Sequence, residues 1–512
     1  MNRQVPPRLG TTRLTLLGTL RSGAVRGLLV PASSFVVLPI LLSSLGTREY
    51  GIWATLSSML AVGGLVDAGV RSEIIRRVAH AQGAGELAAG LHSAHQGVTI
   101  LAVCSTVVAA IVGTLSSPFI SFVFPGLSPT EHTQVRGVLI ALAGILAVSV
   151  TNAGLFGIAT GLQRGDIENF TTVIAALAGA VTMVLSVQVL KLGLNGMVIG
   201  TVVSTLVLVV GQFYATNRLT ASKWHFARVT RRDLTGYLGV SGLLFLSQMA
   251  DVVDVQFDKV VLSKFVDSAA VSQYQIGTML SLNLRVVALI PVAVLLAGIT
   301  ELWASDPTRA ERLMRTVTQL TYLVGGVLMT GVVVFARPFI HLWLGEGYDQ
   351  AVIASQLLAV AMAVNLVGAP WGSYAIGRGW PGMAAWSATA NMLVNAALSW
   401  TLVRHIGFDG ALLGSLAGNV TGIVVLSVLL TRATRRNWLL PAARPVGICA
   451  ILGASTLFLM DRFATQLNWP ALIGLAFAFV LVLAALLLGS TPRGLREDLV
   501  TSVRSARAQA EG

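Results

Sequence analysis

The chain has 512 residues, 54% of them hydrophobic and only 11% charged, with a mean hydropathy of +0.77. A soluble fold of this length cannot hide that much apolar surface, so the composition excludes a soluble enzyme or binding domain and defines an all-α polytopic membrane protein. The formal net charge of +13 reads as cationic loops held against anionic headgroups on one side of a bilayer, with no nucleic acid as partner.

A hydrocarbon core of ~30 Å takes ~20 apolar residues per helix. In chain order, hydropathy predicts fourteen spans, at 22–45, 51–70, 93–116, 136–158, 168–190, 194–216, 237–262, 272–299, 316–336, 350–370, 381–403, 409–431, 444–460 and 469–489. The first carries Arg21 and Arg26 and has no small-residue cleavage site, so it reads as a span and not as a removed signal. Pro31 and Pro39 in span 1, Pro291 in span 8 and Pro370 in span 10 predict bends there. Cys104 and Cys449 sit inside apolar segments and form no disulfide or metal pattern. With both termini inside, the inner segments hold 26 of the 35 lysines and arginines and the outer segments hold seven, a strong positive-inside bias. The inner loop at 216–235 mixes five cations with Trp224 and Phe226, which predicts an amphipathic helix in the interface, a plain cationic tether being the alternative.

The chain repeats itself. Residues 191–200 read KLGLNGMVIG and residues 405–414 read HIGFDGALLG; Gln163-Arg164-Gly165 has the same offset to Gly377-Arg378-Gly379. The paired loops lie six spans apart. An even number of crossings returns the chain to the same side, so the copies share one orientation, as in transporters built from parallel halves. The expected layout is an N-terminal six-helix bundle at 1–216, a cytoplasmic interfacial linker at 217–236, a C-terminal six-helix bundle at 237–431, two additional helices within 432–489 and a cytoplasmic tail at 490–512. The two bundles would surround a central cavity. The loops themselves read as structural turns, glycine supplying tight geometry and Asn or Asp local hydrogen bonds.

Three stretches carry a family resemblance. SLGTREYGIWATLSSM (44–59) followed by LVDAGVRSEIIRRVA (65–79), QFDKVVLSKFVDSAAVSQYQIGTML (256–280) and RPFIHLWLGEGYDQAV (337–352) occur in the order found in polysaccharide exporters of the Wzx type, which the chain resembles. The resemblance implies the multidrug/oligosaccharidyl-lipid/polysaccharide superfamily, a fold of two six-helix bundles, and a bacterial cytoplasmic-membrane location. It further implies flipping of a polyprenyl-pyrophosphate-linked oligosaccharide to the outer leaflet. Membrane lipids and other polysaccharide-assembly proteins would be its partners. Lipid II flippases of that superfamily line their cavity with cations on helices 1, 2 and 8. Arg26 and Arg285 match helices 1 and 8, whereas helix 2 has no cation before Arg71.

A pyrophosphate in low dielectric needs cations, and Arg suits it through its planar fork of donors. Arg285 lies near the middle of span 8, too deep to face lipid cheaply, so it reads as a headgroup ligand or as half of an ion pair with a helix 7 carboxylate. Arg26 reads as a headgroup ligand at the inner mouth or as a snorkelling anchor. Gln248, Asp251, Asp254 and Asp258 form a stripe on helix 7; acids so close cannot all ionise comfortably, which suits coupling to H+ or Na+, or a structural role. Asp67 and Arg71, four apart, predict an i,i+4 ion pair bracing a helix end, or an inner gate. Asn152, Asn365, Asn391 and Asn395 lie within spans, and Trp371, Trp380 and Trp386 near span ends; interhelical bonding and interfacial anchoring are the ordinary uses of such residues. No acid pair or nucleophile–base constellation appears, so no catalytic residue, metal ligand or cofactor is expected. A drug/cation antiporter of the same fold is the main rival reading, and a membrane glycan polymerase or ligase a weaker one.

Overall fold

The computed structural model describes residues 13–61, 63–220, 226–238, 242–463 and 467–490, and every regular element among them is helical. The chain forms two compact units, Met1–Val252 and Val253–Gly512. Eleven helices are long and apolar enough to cross a membrane. The expected second, seventh and eleventh spans fall outside that set. They are helical too, but the seventh carries Asp251, Asp254, Asp258 and Lys259, and the eleventh is rich in Ser, Thr and Asn.

The first unit opens with α1 (Arg13–Ala61) and α2 (Gly63–Ala84). Gly46, at φ 74°, splits α1 into two spans; that backbone is open to glycine and strained for other residues. The predicted span at 51–70 is therefore shared between the end of α1 and the start of α2. Helices α3 (Leu87–Thr114), α4 (Ser116–Val123) and α5 (Pro129–Gly161) follow. Ser128 and Glu131 form a reciprocal capping box at the start of α5, with Pro129 in the first turn. Helix α6 (Gly165–Val184) runs into a π-helical turn, Leu185–Val189, before α7 (Leu194–Thr220). The core gathers Ile74 and Val78 of α2, Val98 and Leu101 of α3, and Leu155 and Ile158 of α5. Gly157 and Gly161 set that spacing, since a Cβ at Gly157 would lie 3.1 Å from Ile74 and one at Gly161 2.8 Å from Val78.

The stretch predicted as an interfacial helix is partly outside the described residues, and a short helix follows it. It is α8 (Arg231–Leu238), beyond Phe226, which stands exposed in non-helical chain; Trp224 lies outside the described residues. Its anchor is Tyr237, fully buried in the first unit's core, with its hydroxyl donating to the Ser93 carbonyl at 2.6 Å and the Arg77 guanidinium 4.1 Å above its ring. The sequence placed residue 237 at the start of helix 7; its side chain instead fastens the linker to the α2–α3 hairpin. The division between units falls later, inside α9 (Gly242–Phe265).

The second unit continues with α10 (Ser268–Ala288), α11 (Ile290–Ser305), α12 (Pro307–Leu344), α13 (Asp349–Gly377), α14 (Pro381–Ile406), α15 (Phe408–Thr434), α16 (Leu440–Phe463) and α17 (Trp469–Ser490). The span predicted at 272–299 is broken at Leu289, with Pro291 in the first turn of α11, where its missing N–H costs nothing. Pro370, by contrast, sits inside a continuous α13. Along α15, Gly410, Gly414, Gly418 and Gly422 recur every fourth residue on the face that meets α14. A Cβ at Gly418 would lie 2.8 Å from that of Asn395, so this seam closes only because the row carries no side chains.

Candidate functional site

At one end of the first unit, three helices bring two arginines to one carboxylate. Arg26 of α1 donates from Nη1 to Glu168 Oε1 at 3.3 Å, and Arg71 of α2 donates from Nη2 to Glu168 Oε2 at 2.8 Å. Glu168 stands in the first turn of α6, where the helix dipole favours an acid. Its neighbour Asn169 accepts from Arg26 at 3.3 Å and donates to the Thr19 carbonyl and the Ser22 hydroxyl, tying α6 to α1. Thr160 of α5 donates to Glu168 Oε2 at 3.5 Å, and the Arg71 guanidinium lies 5.8 Å from the Phe156 ring centre. Glu168 is 15% exposed, against 40% for Arg26 and 29% for Arg71, so the arginines present donors to solvent while the carboxylate sits behind them.

This arrangement corrects one expectation. Arg71 makes its ion pair with Glu168 on another helix and not with Asp67 four residues before it; Asp67 feels the charges of both but forms no ion pair with either. A single-turn pair follows from spacing, whereas a pair closed across 97 residues needs the fold. Glu168 escaped the sequence reading for that reason. Its one visible signal was an acid at the start of an apolar helix.

The second unit holds a different arrangement, buried and rich in hydroxyls and amides. Asp254 Oδ1 accepts from Asn395 Nδ2 at 2.8 Å, and Ser399 donates to Asn395 Oδ1 at 2.9 Å. Asp258, fully buried, accepts at Oδ2 from Tyr274 at 2.8 Å and from Ser415 at 2.6 Å. Asn419 donates to the Ser415 carbonyl at 2.9 Å and accepts from Asn365 at 3.0 Å. The chain of contacts thus runs through α9, α10, α13, α14 and α15. Two oxygens facing this interior, Asp258 Oδ1 and Asn391 Oδ1, are buried with no hydrogen bond. Lys259, also buried, donates to Gln256 at 2.7 Å. Gln248, at the start of the stripe, is exposed, and the Asp251 side chain lies outside the described residues.

Arg285 sits in the last turn of α10, four residues before the break at Leu289. Its Nε is buried without a hydrogen bond, and among the described side chains it has no carboxylate partner. The described helix 7 acids take their hydrogen bonds from other groups, Asp254 from Asn395 and Asp258 from Tyr274 and Ser415. The alternative of an ion pair with either therefore does not hold.

The remaining predicted residues resolve individually. Asn365 and Asn395 are the interhelical links described above, and Asn152 is buried with both amide atoms unpaired. Trp371 is core, in edge contact with Trp438, while Trp386 is exposed. Trp380 and Trp303 each lie 4.3 Å from the Arg378 guanidinium, a stacked cation that appeared in the sequence only as a repeat marker. An apolar cavity of about 360 Å³ between α12, α13 and α16 has no charged lining and is unsuited to an anionic headgroup. A polar pocket of about 450 Å³ lies in the first unit, lined by Glu49, Gln188 and Lys191. Groups of three or more His, Cys, Asp or Glu able to hold a metal ion do not occur among the described residues.

Helical bundles with cations inside apolar helices define a multi-pass membrane protein, and the solved structures of this fold are flippases and transporters. The lipid II flippase MurJ, in an inward closed conformation, matches 93% of this chain and 98% of its own at a TM-score of 0.69 and 14% identity. An inward-facing multidrug resistance MATE family transporter of the MOP superfamily matches at 0.60 and 14% identity over 80% of this chain and 97% of its own. The Vibrio cholerae MATE transporter VcmN, as a mutant, matches at 0.59 and 15% identity over 83% and 98%. No curated protein sequence matches the chain. The family described as "Polysaccharide biosynthesis protein" matches residues 41–353, and the chain belongs to that family. The family is thus one of polysaccharide biosynthesis, and the fold is one that flippases and transporters share.

Proposed function

We propose that this protein flips a polyprenyl-pyrophosphate-linked oligosaccharide from the inner to the outer leaflet of a bacterial cytoplasmic membrane by alternating access. The observation that carries this reading is the pair of arginines, Arg26 and Arg71, converging on one carboxylate while their side chains stay partly exposed. Two guanidinium forks at one place suit a pyrophosphate better than a neutral or cationic drug. Arg285, its Nε buried without a hydrogen bond and with no carboxylate partner among the described side chains, is a separate candidate cation in the second unit. Membership of a polysaccharide biosynthesis family supports a glycan as the polar cargo. The lysine and arginine count supports both termini inside, which puts the Arg26–Arg71 end at the cytoplasmic face.

Asp254 and Asp258 are the proposed coupling groups. The unpaired oxygens of Asp258 and Asn391, close to further amide and hydroxyl oxygens, suit a proton or a hard monovalent cation such as Na+. A lipid II substrate is the second reading. Arg71 reaches the partner of Arg26, so the cation missing from helix 2 in the sequence is supplied from its far segment, α2.

Deleting the gene and analysing the lipid fraction tests the proposal. A lipid-linked oligosaccharide should accumulate on the cytoplasmic leaflet and clear on complementation. Accumulation of lipid II would select the second reading, and unchanged lipid-linked glycans would sink both.

A further inference from the structure

We propose that Glu168 is an internal stand-in for the substrate's phosphate: it holds Arg26 and Arg71 when no substrate is bound, and the arriving pyrophosphate displaces it. The inference rests on the headgroup reading of those arginines and adds a residue and a trigger to it.

The geometry is that of a bridging anion. Each carboxylate oxygen takes one guanidinium, Oε1 from Arg26 at 3.3 Å and Oε2 from Arg71 at 2.8 Å. Two oxygens of one phosphate, or one from each of two linked phosphates, offer the same pair of acceptors to the same pair of forks. The trio carries one net positive charge. A pyrophosphate diester brings two negative charges and neutralises both arginines, which one carboxylate cannot do. The more exposed positions of Arg26 and Arg71 let the ligand engage their free N–H edges before the carboxylate leaves.

Displacement has a mechanical consequence. Glu168 is the direct ionic link between α6 and both α1 and α2 at this end. Once the arginines turn to the ligand, α6 keeps only neutral ties, from Asn169 to Thr19 and Ser22 and from Thr160. Binding at the mouth thereby loosens the helix contact that closes it, and an empty protein stays latched. The contact is a two-state element with differential affinity for the ligand, which population shift requires.

Full-length protein in lipid nanodiscs, titrated with inorganic pyrophosphate, tests this. Glu168→Gln keeps the shape but turns one of the two acceptor oxygens into an NH2 donor and removes the competing charge, so it should bind pyrophosphate about tenfold tighter than wild type. Hydrogen exchange supplies the second readout. Pyrophosphate should raise exchange at residues 19–26 and 165–172 in wild type, whereas in Glu168→Gln exchange there should be high already and indifferent to pyrophosphate. Equal or weaker binding by Glu168→Gln, or wild-type exchange that pyrophosphate leaves unchanged, overturns the displacement. Arg26→Gln and Arg71→Gln separate the two levels. If they abolish binding while Glu168→Gln gains nothing, only the stand-in role falls; if they leave binding intact, the headgroup site falls with it.

Discussion

Both units are helical, and they hold opposite chemistry. The first gathers Arg26, Arg71 and Glu168 near the end of its helices, charged and half open to solvent. The second buries Asp254 and Asp258 among Tyr274, Asn395 and Ser415, which donate to them through hydroxyls and an amide. A half-open cluster can exchange its internal anion for an external one at small desolvation cost. A sealed carboxylate can change state only by taking up a proton or cation, because an unpaired charge there is too costly. On the proposed reading, the first unit's cluster suits an anionic ligand and the second unit's suits a proton or cation.

The largest expected effect comes from the residue that breaks this division. Arg285 belongs to the second unit yet carries the first unit's chemistry, with no carboxylate partner among the described side chains. Arg285→Ala should lower glycan export about 100-fold at unchanged protein level, the scale of lost charge-assisted hydrogen bonds. Normal export would confine anion handling to the first unit. The next effect concerns stability. Gly418→Ala places a Cβ 2.8 Å from that of Asn395 and should cost about 2 kcal/mol in thermal unfolding, by overpacking the seam that carries the acid network. Gly211→Ala in the first unit meets only the Thr171 methyl, at 3.1 Å, and should be nearly neutral. Equal losses would show that the two seams are equally tight. Asp258→Asn should leave folding intact, since Tyr274 and Ser415 can still donate to the amide oxygen, but should cut gradient-driven transport in vesicles about tenfold while sparing downhill exchange. An unchanged gradient response would return Asp258 to a structural role.

What could be read beforehand follows the range of each interaction. Membrane spans, the repeat offset and the charge bias are properties of local windows, so nearly all the helices lie where hydropathy places them. The break at Leu289 was legible, since Pro291 announces it. The acid stripe on helix 7 was visible because four residues share one helix face, but its partners Tyr274, Asn395 and Ser415 come from three other helices. Glu168 and Tyr237 were missed altogether. Each acts through a contact closed across about a hundred residues or more, and only the packed bundle sets such contacts. The glycine row of α15 was in plain view at every fourth position, and its meaning depended on α14 lying against it.

The smallest effect tests whether the linker belongs mechanically to the first unit. Asp233 of α8 accepts from the Thr230 hydroxyl at 2.7 Å and amide at 2.9 Å, and from Gln96 of α3 at 3.2 Å. The Thr230 hydroxyl, followed by the amide, holds the Asp233 carboxyl below the usual aspartate range. A depressed folded-state pKa stabilises the docked helix at pH values above the unfolded value, near 4. That stabilisation is lost as pH falls through the lower folded value, because the protonated acid no longer accepts these bonds in full. Amide exchange across residues 226–238 should therefore rise below about pH 4 in wild type. Asp233→Asn should flatten this dependence and change transport at neutral pH by less than about threefold, the cost of one exposed cap. Tyr237→Phe, which removes a buried hydroxyl donor to Ser93, should raise exchange at every pH. If acid loosens the linker equally in Asp233→Asn, the pH response arises elsewhere, and Tyr237 alone fastens α8 to the bundle.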